Sequence, residues 1–387
     1  MADLGADDPG CPYRCGMTAG AWLVVGLVVL VGAAVTFALI GWRGSRTAAR
    51  RAVRAGLVVP SADSAPDQAD QTPRPLVAFV VNPTKPGVPI LRETAVRACR
   101  NQGLPEPLWL ETTPADPGRG QSRDAVRRGA DLVVAVGGDG TVRAVAEAVA
   151  SSGIPMGVIP IGTGNLFARN VDIPLGSAEK ALEVALSGRD RTVDIGWLEI
   201  ERASGDLDGG EHLFLVIAGL GFDAKMVEDT DENLKRWVGW LAYFFSAIRH
   251  LHGPRLRVLV DIDDHESRPL KLRSLLIGNC GKLPGGLTLL PDAVIDDGWL
   301  DIAALDTRGG ILGWGQLFGE VVLQGFGVRS QLPARVGRVD HVRGRQIVAT
   351  VDPPVQVQVD GDVLGKASVV RARVDPGALI IRVPATD

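Results

Sequence analysis

The chain has 387 residues, of which 46% are hydrophobic and 22% charged, and a net charge of −4. That length is too great for one compact core and suits two domains with a tail. The charge balance supplies no basic field, which argues against a nucleic-acid partner.

Residues 15–42 carry one charge-free run, and 19–42 (AGAWLVVGLVVLVGAAVTFALIGW) is mostly apolar. As a helix, this stretch would span roughly 36 Å at 1.5 Å per residue, enough for a bilayer core of about 30 Å. Trp22 and Trp42 sit near its ends, where interfacial aromatics belong. A cleaved signal peptide is the competing reading, but the length of the run and the basic stretch behind it favour an uncleaved transmembrane helix. Asp3, Asp7, Asp8 and one Arg precede it, whereas Arg43, Arg46, Arg50, Arg51 and Arg54 follow it. Positive residues stay inside, so the expected topology is single-pass in the cell membrane: residues 1–18 form an extracytoplasmic tail and the body is cytoplasmic. The same arginines could attract anionic lipid headgroups. Cys11 and Cys15 lack a second ligand pair, so zinc is not expected there. Residues 43–75 combine this basic segment with a flexible linker rich in Pro, Ala, Ser and Asp.

The body divides in texture. Residues 76–81 (LVAFVV), 132–136 (LVVAV) and 156–161 (MGVIPI) are short apolar runs ending at Asn-Pro or glycine, which predicts buried strands. Helical stretches at 90–101 and 141–150 separate them, so residues 76–193 read as a parallel α/β domain. Residues 194–384 read as β-rich, with strands at 213–217, 256–262, 273–277, 300–304, 346–351 and 355–359. Helices are expected at 233–251 and near 311–323. Trp237, Trp240, Leu241, Phe244, Phe245 and Ile248 form one stripe on the former, suited to a core face or to the lip of a lipid cleft.

The chemistry concentrates in two loops. Gly137, Gly138, Asp139, Gly140 and Thr141 lie between a predicted strand and a helix. Glycines let backbone approach a ligand, the helix start favours an anion, and the carboxylate of Asp139 would need a bridging Mg²⁺ beside phosphate. Gly162, Thr163, Gly164 and Asn165 form a second such loop at the carboxyl edge of the sheet, where ligands bind in open α/β folds. There is no Walker motif, no H-E-x-x-H and no G-x-S-x-G elbow.

Together with Asn82-Pro83-Thr84, the VDIG run at 193–196, GLGFD at 219–223, PGGLTLLPDAVIDDGWLDI at 284–302 and Asp360-Gly361-Asp362, these loops resemble the diacylglycerol kinase catalytic family. That family includes bacterial lipid kinases and sphingosine kinases. The resemblance covers roughly residues 75–384 and implies a three-layer α/β ATP-binding domain followed by a β-sandwich that binds lipid and carries the catalytic base. It implies ATP contacts at Asn82, Pro83, Thr84, Thr113, Gly137, Gly138, Asp139, Gly140, Thr141, Val142, Arg143 and Thr163. It also implies a structural Mg²⁺ at Val294, Asp297 and Trp299, and a base at Asp362 with Asp360 as fallback. Two positions depart from the family pattern: Arg143 stands where Asn is usual, and Asp362 where Glu is usual. The expected activity is transfer of the ATP γ-phosphate to a membrane lipid hydroxyl, most simply that of diacylglycerol. Other lipid acceptors, an NAD-kinase-like soluble acceptor, and a catalytically dead lipid or nucleotide sensor are the rival readings. The oligomeric state is not legible.

Overall fold

The computed structural model describes residues 74–207, 209–221, 255–263, 265–283, 288–307 and 337–385. The expected transmembrane run at 19–42, its flanking tail and linker up to residue 73, and the helices at 233–251 and 311–323 lie outside the described residues. Among those described, no helix is long and apolar enough to cross a membrane.

The apolar runs of the first half become a parallel sheet because both of their faces are covered. In β1 (Val77–Val81), β3 (Leu132–Gly137) and β4 (Met156–Pro160) every residue is buried, as in strands packed on two sides. With β2 (Leu108–Glu111) they pair in parallel in the order β2-β1-β3-β4. Helix α1 (Val88–Asn101) buries Val88, Leu91, Ala95 and Cys99, one stripe at helical spacing. Then come α2 (Arg119–Arg127), α3 (Asp139–Val149), the single turn α4 (Leu166–Asn170) and α5 (Ala178–Ser187), which Ser177 caps through the amide of Lys180. The helices pack in pairs, α1 with α5 and α2 with α3.

The second half is all strand among the described residues: β5 (Arg189–Glu201), β6 (His212–Phe214), β7 (Ile217–Leu220), β8 (Leu256–Ile262), β9 (Arg268–Leu272), β10 (Ser274–Gly278), β11 (Leu300–Thr307), β12 (Gly337–Gly344), β13 (Gln346–Val359) and β14 (Asp362–Val383). The runs expected at 346–351 and 355–359 are one strand, β13, whose register against β14 shifts between Thr350 and Val355. Period-two burial (Ile347, Ala349, Val351, then Val355, Val357, Val359) turns one face of β13 into a second core.

Strand β14 joins the halves. It pairs antiparallel with β13 and β5, and near its end Ile381 pairs in parallel with Met156 of β4. Its early residues Ala367, Val370 and Ala372 belong to the β-rich core, whereas Leu379, Ile381 and Val383 belong to the core of the α/β sheet. The expected division at 193/194 therefore runs through β5, and the α/β unit takes back the C-terminal end of β14.

Candidate active site

Three loops meet at the carboxyl ends of the parallel strands. After β1, the side-chain oxygen of Asn82 accepts from the amide (3.1 Å) and the hydroxyl (2.7 Å) of Thr84, an Asx turn that holds Asn82, Pro83 and Thr84 as one unit. The Asn82 amide donates to Val136 O at 2.9 Å, which fastens this turn to the end of β3.

The two glycine loops touch. A Cβ on Gly162 would stand 2.5 Å from Gly138 Cα, so position 162 has no room for a side chain. A Cβ on Gly137 would stand 2.6 Å from Thr141 Cβ, because the chain folds back into α3 there. Asn165 (φ 49°) closes its loop by accepting from Gly162 N at 3.0 Å and donating to Gly162 O at 2.8 Å. Thr163 is left exposed at the tip.

Asp139 is the brace between these loops. One carboxylate oxygen accepts from Asn165 N at 2.9 Å and the other from Leu166 N at 2.6 Å. Burial pushes its pKa above the ordinary value, the two amides oppose that, and the charge of Asp362 adds to the rise. Sequence reasoning gave Asp139 a metal; the structure gives it a loop-holding task as well. A carboxylate has about four lone-pair sites, and the amides of Leu166, Asn165 and Asp139 itself do not use them all, so the group still fits a cation.

Thr113 is exposed, and its hydroxyl accepts from the Asp116 amide at 3.1 Å. Asp116 in turn takes the amides of Gly118 and Gly120 and so starts α2, a role the sequence analysis did not assign. Val142 and Thr141 are buried in the first turn of α3, and Gly140 is exposed.

The opposing wall comes from the β13–β14 turn. Asp360 (φ 47°) and Gly361 (φ 93°) reverse the chain and send the two neighbouring carboxylates apart. Asp360 accepts three backbone amides, Leu215 at 2.8 Å and Val216 and Ile217 at 2.9 Å each, which rivets the turn to the β6–β7 junction. With three donors on it, this carboxylate is structural, and the fallback choice of Asp360 as base finds no support. Asp362 is 60% exposed and forms an ion pair with Arg143 of α3. Arg143 also donates to Val359 O at 2.9 Å.

Residues 77–198 match the model of the diacylglycerol kinase catalytic domain, and residues 216–383 that of the YegS C-terminal NAD kinase beta sandwich-like domain. A Yersinia pestis protein named "Probable lipid kinase YegS-like" is 30% identical over 250 residues, which cover 60% of this chain and 76% of that protein. The chain belongs to this lipid kinase family. An uncharacterised Synechocystis protein is also 30% identical, over 62% of this chain and 52% of its own length, so the kinase spans about half of that relative. A diacylglycerol kinase structure from Bacillus anthracis superimposes with a TM-score of 0.60 at 21% identity, over 80% of this chain and 97% of that one, a likeness of fold.

The other family motifs of the kinase have structural work. Asp194 of the VDIG run is buried and accepts the amides of Gly298 (2.6 Å) and Gly377 (2.8 Å), while Gly196 leaves room for the ring of Phe214. At the turn expected to hold Mg²⁺, Asp297 accepts the Trp299 amide at 3.1 Å and lies 3.2 Å from Arg343 Nη1. Arg343 also reaches Asp301 at 3.2 Å and the carbonyl of Asp292. Its guanidinium thus gathers two carboxylates and a carbonyl, the oxygens a hard cation would collect. Of the expected set Val294, Asp297 and Trp299, the Asp297 carboxylate is the member that Arg343 neutralises here. Among the described residues no group of three or more His, Cys, Asp or Glu side chains could hold a metal ion.

Proposed function

We propose that this kinase transfers the γ-phosphate of ATP to the free hydroxyl of diacylglycerol, giving phosphatidic acid. The observation that carries this reading is the meeting of two paired glycine loops with an exposed carboxylate, Asp362, that the second domain presents across α3. The helix start of α3 and the exposed Thr163 tip of the Gly162 loop suit the phosphate chain. Asn82, Thr84, Thr113 and Thr163 offer polar groups around it.

The reaction is an in-line displacement. The lipid oxygen bonds to the γ-phosphorus, the bond to the bridging oxygen of ADP breaks, and Asp362 takes the hydroxyl proton. Mg²⁺ bound with ATP supplies charge neutralisation of the phosphates, and Asp139 is the carboxylate that would hold it. Asp139 also keeps the two loops at a fixed spacing, so that the nucleotide meets a preorganised surface.

Residues 19–42 as a transmembrane helix would keep the enzyme at its insoluble acceptor, with the body cytoplasmic and the following arginines against anionic lipid. The test is direct: the purified full chain is given labelled ATP and a panel of diacylglycerol, a sphingoid base, total membrane lipid and NAD. Label in phosphatidic acid alone supports the reading. Label in another lipid moves the substrate, label in NADP moves the class, and no label in any acceptor ends the kinase assignment.

A further inference from the structure

The geometry points to Arg143 as the positioning residue of the proposed base, a clamp through which the nucleotide-binding domain sets where the Asp362 carboxylate stands. The inference rests on the reading of Asp362 as the base.

Asp139 and Arg143 are four residues apart in α3, so they share one helix face. Asp139 holds the loop around Asn165 and Leu166, and Arg143 reaches the β13–β14 turn. The guanidinium uses two arms. One donates to Val359 O and fixes the end of β13; the other pairs with the carboxylate of Asp362, the first residue of β14. On the far side the same turn is held by Asp360 through three amides, and the Gly361 amide donates to Gln358 Oε1 at 2.7 Å. The turn is therefore gripped from both sides, and among the described residues Arg143 provides the side-chain contact made by Asp362. Arg143 is only 20% exposed, so its fork is held within the fold, whereas Asp362 is 60% exposed and open to an acceptor.

Arg143 thus holds the end of β13 and the Asp362 carboxylate with one guanidinium. Arginine is suited to this because its planar fork fixes direction as well as distance.

The experiment uses the full chain, ATP and diacylglycerol in mixed micelles, with wild type, Arg143→Met, Arg143→Lys, Asp362→Asn and the double variant Arg143→Met/Asp362→Asn. Hydrogen exchange of the amides at 358–364 is followed in parallel. A misplaced base lowers kcat on the order of 100-fold. Arg143→Met should show about that loss, with KM for ATP changed less than about threefold, and should speed exchange at 358–364. Arg143→Lys, which keeps the charge but not the fork, should recover part of kcat. The double variant should lose no more than Asp362→Asn does. Multiplied losses in the double variant would overturn the clamp, as would an unchanged kcat with a raised KM for ATP or unchanged exchange at the turn. Full activity in Asp362→Asn would instead remove the base assignment on which the clamp rests.

Discussion

Gly162 is the position where a single methyl group tests the active-site geometry. A Cβ there would stand 2.5 Å from Gly138 Cα and 2.9 Å from Asn165 Oδ1. Carbon atoms in contact sit at about 3.5–4.0 Å, so Gly162→Ala must part the two loops by about 1 Å. A shift of that size at a reacting centre costs about 100-fold, or about 2.7 kcal/mol of transition-state stabilisation. The assay is kcat/KM for ATP by coupled ADP release, with thermal unfolding to show that the variant is folded. Gly140→Ala is the matched control. Its Cβ would meet nothing within 4 Å, its φ is not positive, and alanine favours a helix by about 0.5–1 kcal/mol. That variant should melt no lower than wild type, and any loss of ATP affinity in it reports nucleotide lying over the helix start. A folded Gly162→Ala with wild-type kcat/KM would refute the argument that the spacing of these loops positions the phosphates.

Three further outcomes are expected. Burial raises the pKa of Asp139 in the folded state, so the folded form holds its proton more tightly. Its contribution to stability is full below the unfolded value of about 3.9 and is lost as pH rises through the elevated folded value. The melting temperature of wild type should therefore fall relative to Asp139→Asn over that window, and parallel curves would contradict it. Arg343→Met should destabilise the fold by about 1–3 kcal/mol in chemical denaturation by leaving the buried Asp301 carboxylate without its cation. EDTA should leave wild-type melting unchanged, whereas Mg²⁺ should raise that of Arg343→Met; an EDTA effect on wild type would restore the metal to the turn. Removal of residues 1–42 should shift the protein from the membrane pellet to the supernatant while short-chain diacylglycerol is still phosphorylated, and loss of that turnover in a folded truncation would place the segment in the active site.

What could be read in the sequence depended on how local the cause was. The glycine loops were legible because the clustering of glycines at strand ends is local, as where Gly137 makes room for Thr141; that Gly162 packs on Gly138 of the other loop was not. The buried parallel strands were legible because two covered faces demand an unbroken apolar run. The double task of Asp139 was not, since its partners Asn165 and Leu166 lie on another loop. Neither was the Arg143–Asp362 pair, which spans 219 residues of chain. The longest strand was also missed. β14 carries Gly365, Pro376 and Gly377, residue types that ordinarily weaken a strand, yet it persists because β5 pairs beside it and absorbs the irregularity as a register shift between Asp375 and Leu379. At the Asp297 turn the spacing suggested a metal, and only the fold brings in Arg343 from β12.

The return of β14 to the first sheet has a consequence for biosynthesis. Strand β4 leaves the ribosome with one edge open, and Ile381, which pairs with its first residue Met156, is made more than two hundred positions later. At about 5–20 residues per second, roughly 10 to 45 seconds pass before that edge can be sealed. Through that interval the nascent α/β sheet is an unfinished template for pairing with other chains. A chaperone that shields strand edges should therefore raise the yield of this kinase, and loss of only its final strand residues should cripple ATP binding at the opposite end of the sequence.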